Sequence, residues 1–171
     1  HVSERLAPPL IKEGAQLIVC DLYEDATEKA KALGAQIVEP KDIYDVDCDI
    51  FAPNALGGVL NNTTIPRLKC DIIAGGANNQ LLTKDDAITI TKKNILYGPD
   101  YIINAGGIIN ASCEIGSAYS ESRAKAQTER IYETTLNVIE ISKREDITTA
   151  EAADRLAKNR IETIKALRRF K

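Results

Sequence analysis

The chain has 171 residues, of which 44% are hydrophobic and 27% charged, the balance of a globular domain long enough to bury one full core. Its net charge of −3 gives no basic footprint for nucleic acid. No apolar run approaches the roughly 18–20 residues that cross a bilayer, and no signal-peptide pattern is visible.

Taken in chain order, short apolar runs alternate with helical or turn segments. Gly14 announces a strand over Ala15–Leu22. Glu24–Ala35 reads as a helix closed by Gly34. Ala35–Val38 is a short strand stopped by Pro40, and Cys48–Asn54 is another. Asn61–Leu68 suggests a short helix, with Pro66 tolerable only near its start. Cys70–Asn79 is a strand that runs into a glycine turn, and Thr83–Lys93 is helical. Asn94–Gly107 carries two strand-like pieces around Gly98-Pro99, the second being Tyr101, Ile102 and Ile103. Beyond Glu121 the chain is rich in Ala, Glu, Lys and Arg. Apolar residues fall there at helical spacing, at Ile131, Val138 and Ile139 and again at Leu156, Ile161, Ile164 and Leu167. Thr148 with Glu151 matches a capping box for the last helix.

Strands alternating with helices imply βαβ units and a parallel sheet. The expected fold is α/β, a Rossmann-like parallel sheet flanked by helices, with a C-terminal helical segment. The expected division is a dinucleotide-binding unit over residues 1–142 and a helical tail over 143–171 that packs on it. Ligands of such sheets sit at the carboxyl ends of the strands. Three glycine and asparagine clusters fall there: Ala55–Gly58, Gly75–Asn79 and Asn104–Gly107.

Four cysteines, Cys20, Cys48, Cys70 and Cys113, form no C-x-x-C pair. They read as reduced, mostly buried thiols of a cytoplasmic protein. The single histidine is His1, so there is no internal histidine metal site and no Ser-His-Asp triad. The chain holds no methionine and starts in mid-pattern, so it reads as the ordered part of a longer polypeptide.

Asp21 ends a strand where a dinucleotide fold puts its ribose-binding acid. A carboxylate there accepts from the ribose hydroxyls and repels the 2′-phosphate of NADP. The plainer alternative is a surface aspartate that caps the next helix. The phosphate loop belongs about 20 residues upstream, where only His1–Ala7 remain and Ser3 takes the third glycine's place. Pro8 and Pro9 fall where the following helix should continue, so that helix is expected to be kinked or short. Asn78 and Asn79 offer amides after a glycine pair, suited to a carboxamide ligand; alone, the segment reads as a turn. Asn104 interrupts an apolar run, and a buried amide without partners costs about 1–3 kcal/mol. One cluster reads as a turn; three at the ends of different strands read as one shared crevice.

Three stretches carry a resemblance: DIYDVDCDIFAPNALGG, TIPRLKCDIIAGGANNQL and YGPDYIINAGGIIN. They resemble the cofactor domain of the glutamate/leucine/phenylalanine/valine dehydrogenases, and AADRLAKNRIETI resembles the tail of the leucine-type members. The resemblance covers nearly the whole chain and implies reversible oxidative deamination. An L-amino acid and NAD+ give a 2-oxo acid, ammonia and NADH; hydride leaves the substrate Cα and water attacks the resulting imine. It implies that Asp21 holds the adenosine ribose, that Val2 and Ser3 end the pyrophosphate loop, and that Ala55 and Leu56 lie beside the adenosine. It gives Asn79 the nicotinamide and the substrate amino group. It lines the nicotinamide crevice with Asn104, Ala105 and Gly106, and walls the substrate pocket with Ile108 and Ala111. Asn54 stands where the family often has cysteine. Ala111 is smaller than the valine associated with leucine-type members, which admits a longer side chain.

The proton-transfer residues of the family lie in an N-terminal catalytic domain that these residues do not include. No catalytic residue is therefore assigned here, and these 171 residues alone are expected to be inactive. The expected parent is a homo-oligomer that takes an apolar amino acid or its 2-oxo acid, with no metal, nucleic acid or membrane partner. Two other readings stand beside it: a glutamate-type dehydrogenase, and a non-catalytic nucleotide-binding or oligomer-forming paralogue.

Overall fold

A computed structural model describes residues 2–115 and 118–168, with side chains through residue 167. In chain order it runs α1 (Val2–Lys12), β1 (Ile18–Val19), α2 (Glu24–Ala32), β2 (Gln36–Ile37), β3 (Ile50–Phe51), β4 (Ile72–Ile73), α3 (Asp85–Lys92), β5 (Leu96–Tyr97), α4 (Asp100–Ile103), α5 (Gly106–Ser112), α6 (Glu121–Glu145) and α7 (Thr149–Arg168). Single 3-10 turns at Ile43–Asp45 and Ile65–Arg67 precede β3 and β4.

All strand pairs are parallel. β1 pairs with β2, and β3-β4-β5 form a second ladder in which Ile50 faces Ile72 and Ile72 faces Leu96. Isolated parallel bridges flank β3 and β4: Asp47–Lys69 keeps their register and Leu60–Leu81 is shifted by one residue. Each strand is only two paired residues long. The connections set this spacing: Gly34, at φ +88, ends α2 as glycine alone does cheaply, with Ala35 donating to Ala30.

The main core lies on the second ladder, where Leu60, Ile65, Leu68, Cys70, Ile73, Ile90, Ile95 and Tyr97 form one buried cluster. Phe51 and Tyr44 pack on it, their ring centroids 5.7 Å apart. A second cluster joins α4, α6 and α7 through Ile102, Val138, Ala152 and Ala153, with Ile131 and Leu156 against them. The unit α1-β1-α2-β2 has little core of its own: neither α1 nor α2 buries a residue fully.

The structure corrects two expectations. Tyr101, Ile102 and Ile103 are not a strand but the turn of helix α4. Pro99 supplies φ −56 just before that turn, and Asn104 N–H closes it on Asp100 C=O at 2.8 Å. Three apolar or aromatic letters are too few for periodicity to separate strand from helix. Asn104–Gly107 therefore joins two helices instead of ending a strand. Helix α1 is not cut short either: it continues through Pro8 and Pro9 to Lys12. Both prolines are exposed. All four cysteines are free thiols; Cys70 and Cys113 are buried, Cys20 and Cys48 half-buried.

Candidate functional site

Two of the three expected clusters do follow strands, and backbone packing brings them together. The loop after β3 carries Pro53–Gly58 and the loop after β4 carries Gly75–Asn79. Pro53 C=O accepts from Ala77 N–H at 2.9 Å, and Gly58 N–H donates to Asn79 C=O at 2.7 Å. Asn54 Oδ1 accepts from Gly76 N–H at 2.7 Å. The glycines are what permit this approach. A Cβ on Gly75 would sit 2.2 Å from Pro53 O, and one on Gly57 2.9 Å from Asn78 O.

Buried Gln80 locks the second loop from beneath, its Nε2 donating to Gly75 C=O at 2.7 Å and to Ala77 C=O at 3.0 Å. Its Oε1 is a buried acceptor without a partner among the described residues. The two carbonyls fix which end of this amide points inward, since an oxygen facing them would repel.

The third cluster joins the other two by amide pairing. Asn104 Nδ2 donates to Asn78 Oδ1 at 2.7 Å and stands 3.4 Å from Ala77 O. The carbonyl end of Asn104 has no protein partner among the described residues. Asn79 is exposed and its side-chain amide makes no hydrogen bond among the described residues. Its backbone takes the left-handed conformation at φ +52, and its N–H donates to Asp100 Oδ2 at 2.8 Å. The result is a rim of amides and backbone groups able both to donate and to accept.

Other expected residues lie around this rim. The start of α1 reaches it: a Cβ on Gly76 would meet Val2 Cγ1 at 2.9 Å. Ser3 is exposed beside Val2 in the first turn of α1. Ala55 and Leu56 are exposed on the first loop. Ala105 and Gly106 open α5, where a Cβ on Gly106 would meet Thr128 at 3.5 Å. Ile108 and Ala111 are exposed further along α5. Asp21 lies apart, at the carboxyl end of β1. It is exposed, and its Oδ1 accepts from Tyr23 N–H at 3.1 Å, which leaves its second oxygen for another donor.

Sequence reading named Asn54 without its partner and missed Asp100. Both act across 21–22 positions of sequence, where no local pattern signals them. The one available hint is Pro99-Asp100, a proline and an acid at a helix start. Burial of Tyr97, with the Asp100 charge next to it, pushes that phenol above its ordinary value. Tyr97 Oη donates to Asp100 Oδ1 at 2.9 Å.

A cleft of about 520 Å³ opens elsewhere, at the amino ends of β3–β5, lined by Asp47, Cys48, Asp49, Lys69 and Cys70 among others. It contains none of the amide rim. The described residues hold no group of three or more potential metal ligands, and no described helix is long and apolar enough to cross a membrane.

Residues 11–169 match the family described as Glutamate/Leucine/Phenylalanine/Valine dehydrogenase. The chain belongs to this family. It is 47% identical over 169 residues to leucine dehydrogenase of Thermoactinomyces intermedius, covering 98% of this chain and 46% of that protein. It is 47% identical over 167 residues to L-tryptophan dehydrogenase of Nostoc punctiforme, covering 96% of this chain and 47% of that protein. The crystal structure of L-tryptophan dehydrogenase from Nostoc punctiforme superimposes with a TM-score of 0.82 at 50% identity, over 88% of this chain and 45% of that one. The chain thus spans about half the length of the relatives it matches.

Proposed function

We propose that this chain is the NAD-binding half of an amino-acid dehydrogenase that reversibly deaminates an apolar L-amino acid to its 2-oxo acid, with ammonia as the second product. The observation that carries the proposal is the amide rim: Asn104 paired to Asn78, and Asn79 held with its side chain outward, where two strand-end loops meet. A nicotinamide carboxamide offers one donor group and one acceptor, which is what such a rim complements.

The residues fit the cofactor along its length. Asp21 has a carboxylate oxygen for the adenosine ribose, and its charge favours NAD over NADP. Ala55 and Leu56 flank the adenosine. Val2 and Ser3, at the start of α1, face the pyrophosphate. Asn79, Asn104, Ala105 and Gly106 border the nicotinamide, whose ring takes the hydride when it is bound. Ile108 and Ala111 wall the substrate side chain, and with alanine at 111 that wall admits side chains from leucine to aromatic size. The similarity to leucine and tryptophan dehydrogenases at equal identity supports this range. The chain's own part is to bind and orient; acid–base groups belong to the rest of the parent protein. The parent is a homo-oligomer in this reading, which the exposed Ile161, Ile164 and Leu167 along α7 support.

Initial rates on the complete parent polypeptide test the proposal, with NAD+ or NADP+ and a panel of L-Leu, L-Val, L-Phe, L-Trp and L-Glu. Turnover of apolar substrates with NAD+ is the expected result. Preference for L-Glu would favour the glutamate-type reading. NADH binding with no turnover of any amino acid would favour the non-catalytic paralogue.

A further inference from the structure

We propose that Asp100 is a positioning residue for the nicotinamide end of the site, acting by clamping the backbone of Asn79; the cofactor-facing role of Asn79 rests on the function proposed above. Asp100 is 8% exposed, and a carboxylate so buried needs partners for both oxygens. It has them, and they belong to different elements. Oδ1 accepts from Tyr97 Oη at 2.9 Å, at the end of β5. Oδ2 accepts from Asn79 N–H at 2.8 Å, in the loop after β4.

Asn79 is held from its other side as well. Its carbonyl accepts from Gly58 N–H at 2.7 Å, in the loop after β3. A left-handed backbone in a non-glycine residue has a conformational cost and persists where surrounding contacts over-determine it. Here one N–H and one C=O, gripped from opposite sides, do so. The grip continues outward, because Thr149 Oγ1 donates to Tyr97 C=O at 2.7 Å and both groups are buried. The Asp100 carboxylate thus joins α4 to the end of β5 and the loop after β4, and the start of α7 and the loop after β3 attach through Tyr97 and Asn79. Asn79's side chain takes no part in the clamp and stays available to a ligand.

The chemistry of the substitutions separates positioning from general support. Asp100→Ala removes the acceptor for Asn79 N–H. Asp100→Asn keeps it, since the amide oxygen can face Asn79 while its NH₂ donates to Tyr97 Oη, a hydroxyl that also accepts. Tyr97→Phe leaves the carboxylate its Asn79 bond alone.

The test uses the complete parent polypeptide and three readouts: residue-resolved hydrogen exchange at Asn79, kcat and KM for NAD+ with an apolar amino acid, and inhibition by ADP, a probe of the adenosine half. Asp100→Ala is expected to raise exchange at Asn79 and to lower kcat/KM by roughly 10–100-fold, since about 1 Å of misplacement costs on the order of 100-fold. ADP inhibition should stay within about twofold, as an orientation loss confined to the nicotinamide end requires. Asp100→Asn should restore most of the loss, and Tyr97→Phe should give a smaller rise in exchange. Unchanged exchange at Asn79 in folded Asp100→Ala would overturn the proposal, as would an equal loss of ADP binding. If Asp100→Ala does not fold, unchanged exchange in Tyr97→Phe would overturn it. A wild-type parent that neither binds NADH nor turns over would defeat the proposed function; the exchange comparison would still decide the clamp.

Discussion

Replacing Gly75 by alanine probes the junction on which the site is built. The added Cβ would lie 2.2 Å from Pro53 O, 2.6 Å from Pro53 N and 2.7 Å from Pro53 Cδ. Non-bonded heavy atoms settle at about 3.5 Å or more, so the overlap exceeds 1 Å, and the backbone of the neighbouring strand end has no rotamer with which to move aside. Over-packing costs about 1–3 kcal/mol. Separating the loops also strains the Ala77 N–H to Pro53 C=O bond, worth about 1 kcal/mol. Together these give about 2–4 kcal/mol, a fall in Tm on the order of 10 °C for a chain of this size. Gly107→Ala is the matched control. Nothing lies within 4 Å of its added Cβ, and Gly107 is inside α5, where alanine is the better helix former by about 1 kcal/mol. Urea unfolding monitored by circular dichroism should therefore move the midpoint down for Gly75→Ala and slightly up for Gly107→Ala. A neutral Gly75→Ala, or a Gly107→Ala as damaging as it, would refute the close-approach argument.

Ile73 is fully buried at the centre of the β3-β4-β5 ladder, and Ile73→Ala should destabilise by about 2–5 kcal/mol in the same assay. Burial pushes the Cys70 thiol up to about 11. A thiol whose folded value is raised contributes stability that is complete below the unfolded value, about 8.5, and declines as pH climbs toward the folded one. Stability should thus fall between about pH 9 and pH 11, and Cys70→Ala should flatten that arm of the pH profile; an unchanged alkaline slope would contradict the assignment. Asp21→Ser removes the charge that repels a 2′-phosphate, so the NAD+ to NADP+ ratio of kcat/KM in the parent protein should drop at least tenfold, with an unaltered ratio counting against Asp21 as the ribose acid.

Much of the fold was legible because its signals are local. Runs such as Ile72-Ile73 and Leu96-Tyr97 fall between turn residues, and Gly34 ends α2 at the positive φ that its position suggested. Thr148 also caps the last helix as its sequence implies, accepting from Glu151 N–H at 3.1 Å. The other half of that capping box does not form as a direct bond, because the Glu151 carboxylate pairs with Arg155 at 2.8 Å. Elements decided by tertiary contacts were less legible. Tyr101–Ile103 have β-prone letters, yet Asp100, tied to Tyr97 and Asn79, starts a helix there. Pro8 and Pro9 break propensity rules inside α1, which continues through both. In the site, the amides were visible as residue types, while the partners that aim them were not. Asn54 to Gly76 and Asp100 to Asn79 are contacts that only the folded chain brings together.

The most direct test of the central claim is a crystal structure of the parent polypeptide with NAD+ bound. The account predicts the nicotinamide carboxamide within hydrogen-bond reach of Asn79 or Asn104, the pyrophosphate at the start of α1, and the adenosine ribose on the Asp21 carboxylate. A cofactor seated away from the β3 and β4 loops, such as in the cleft beside Cys48 and Cys70, would contradict it.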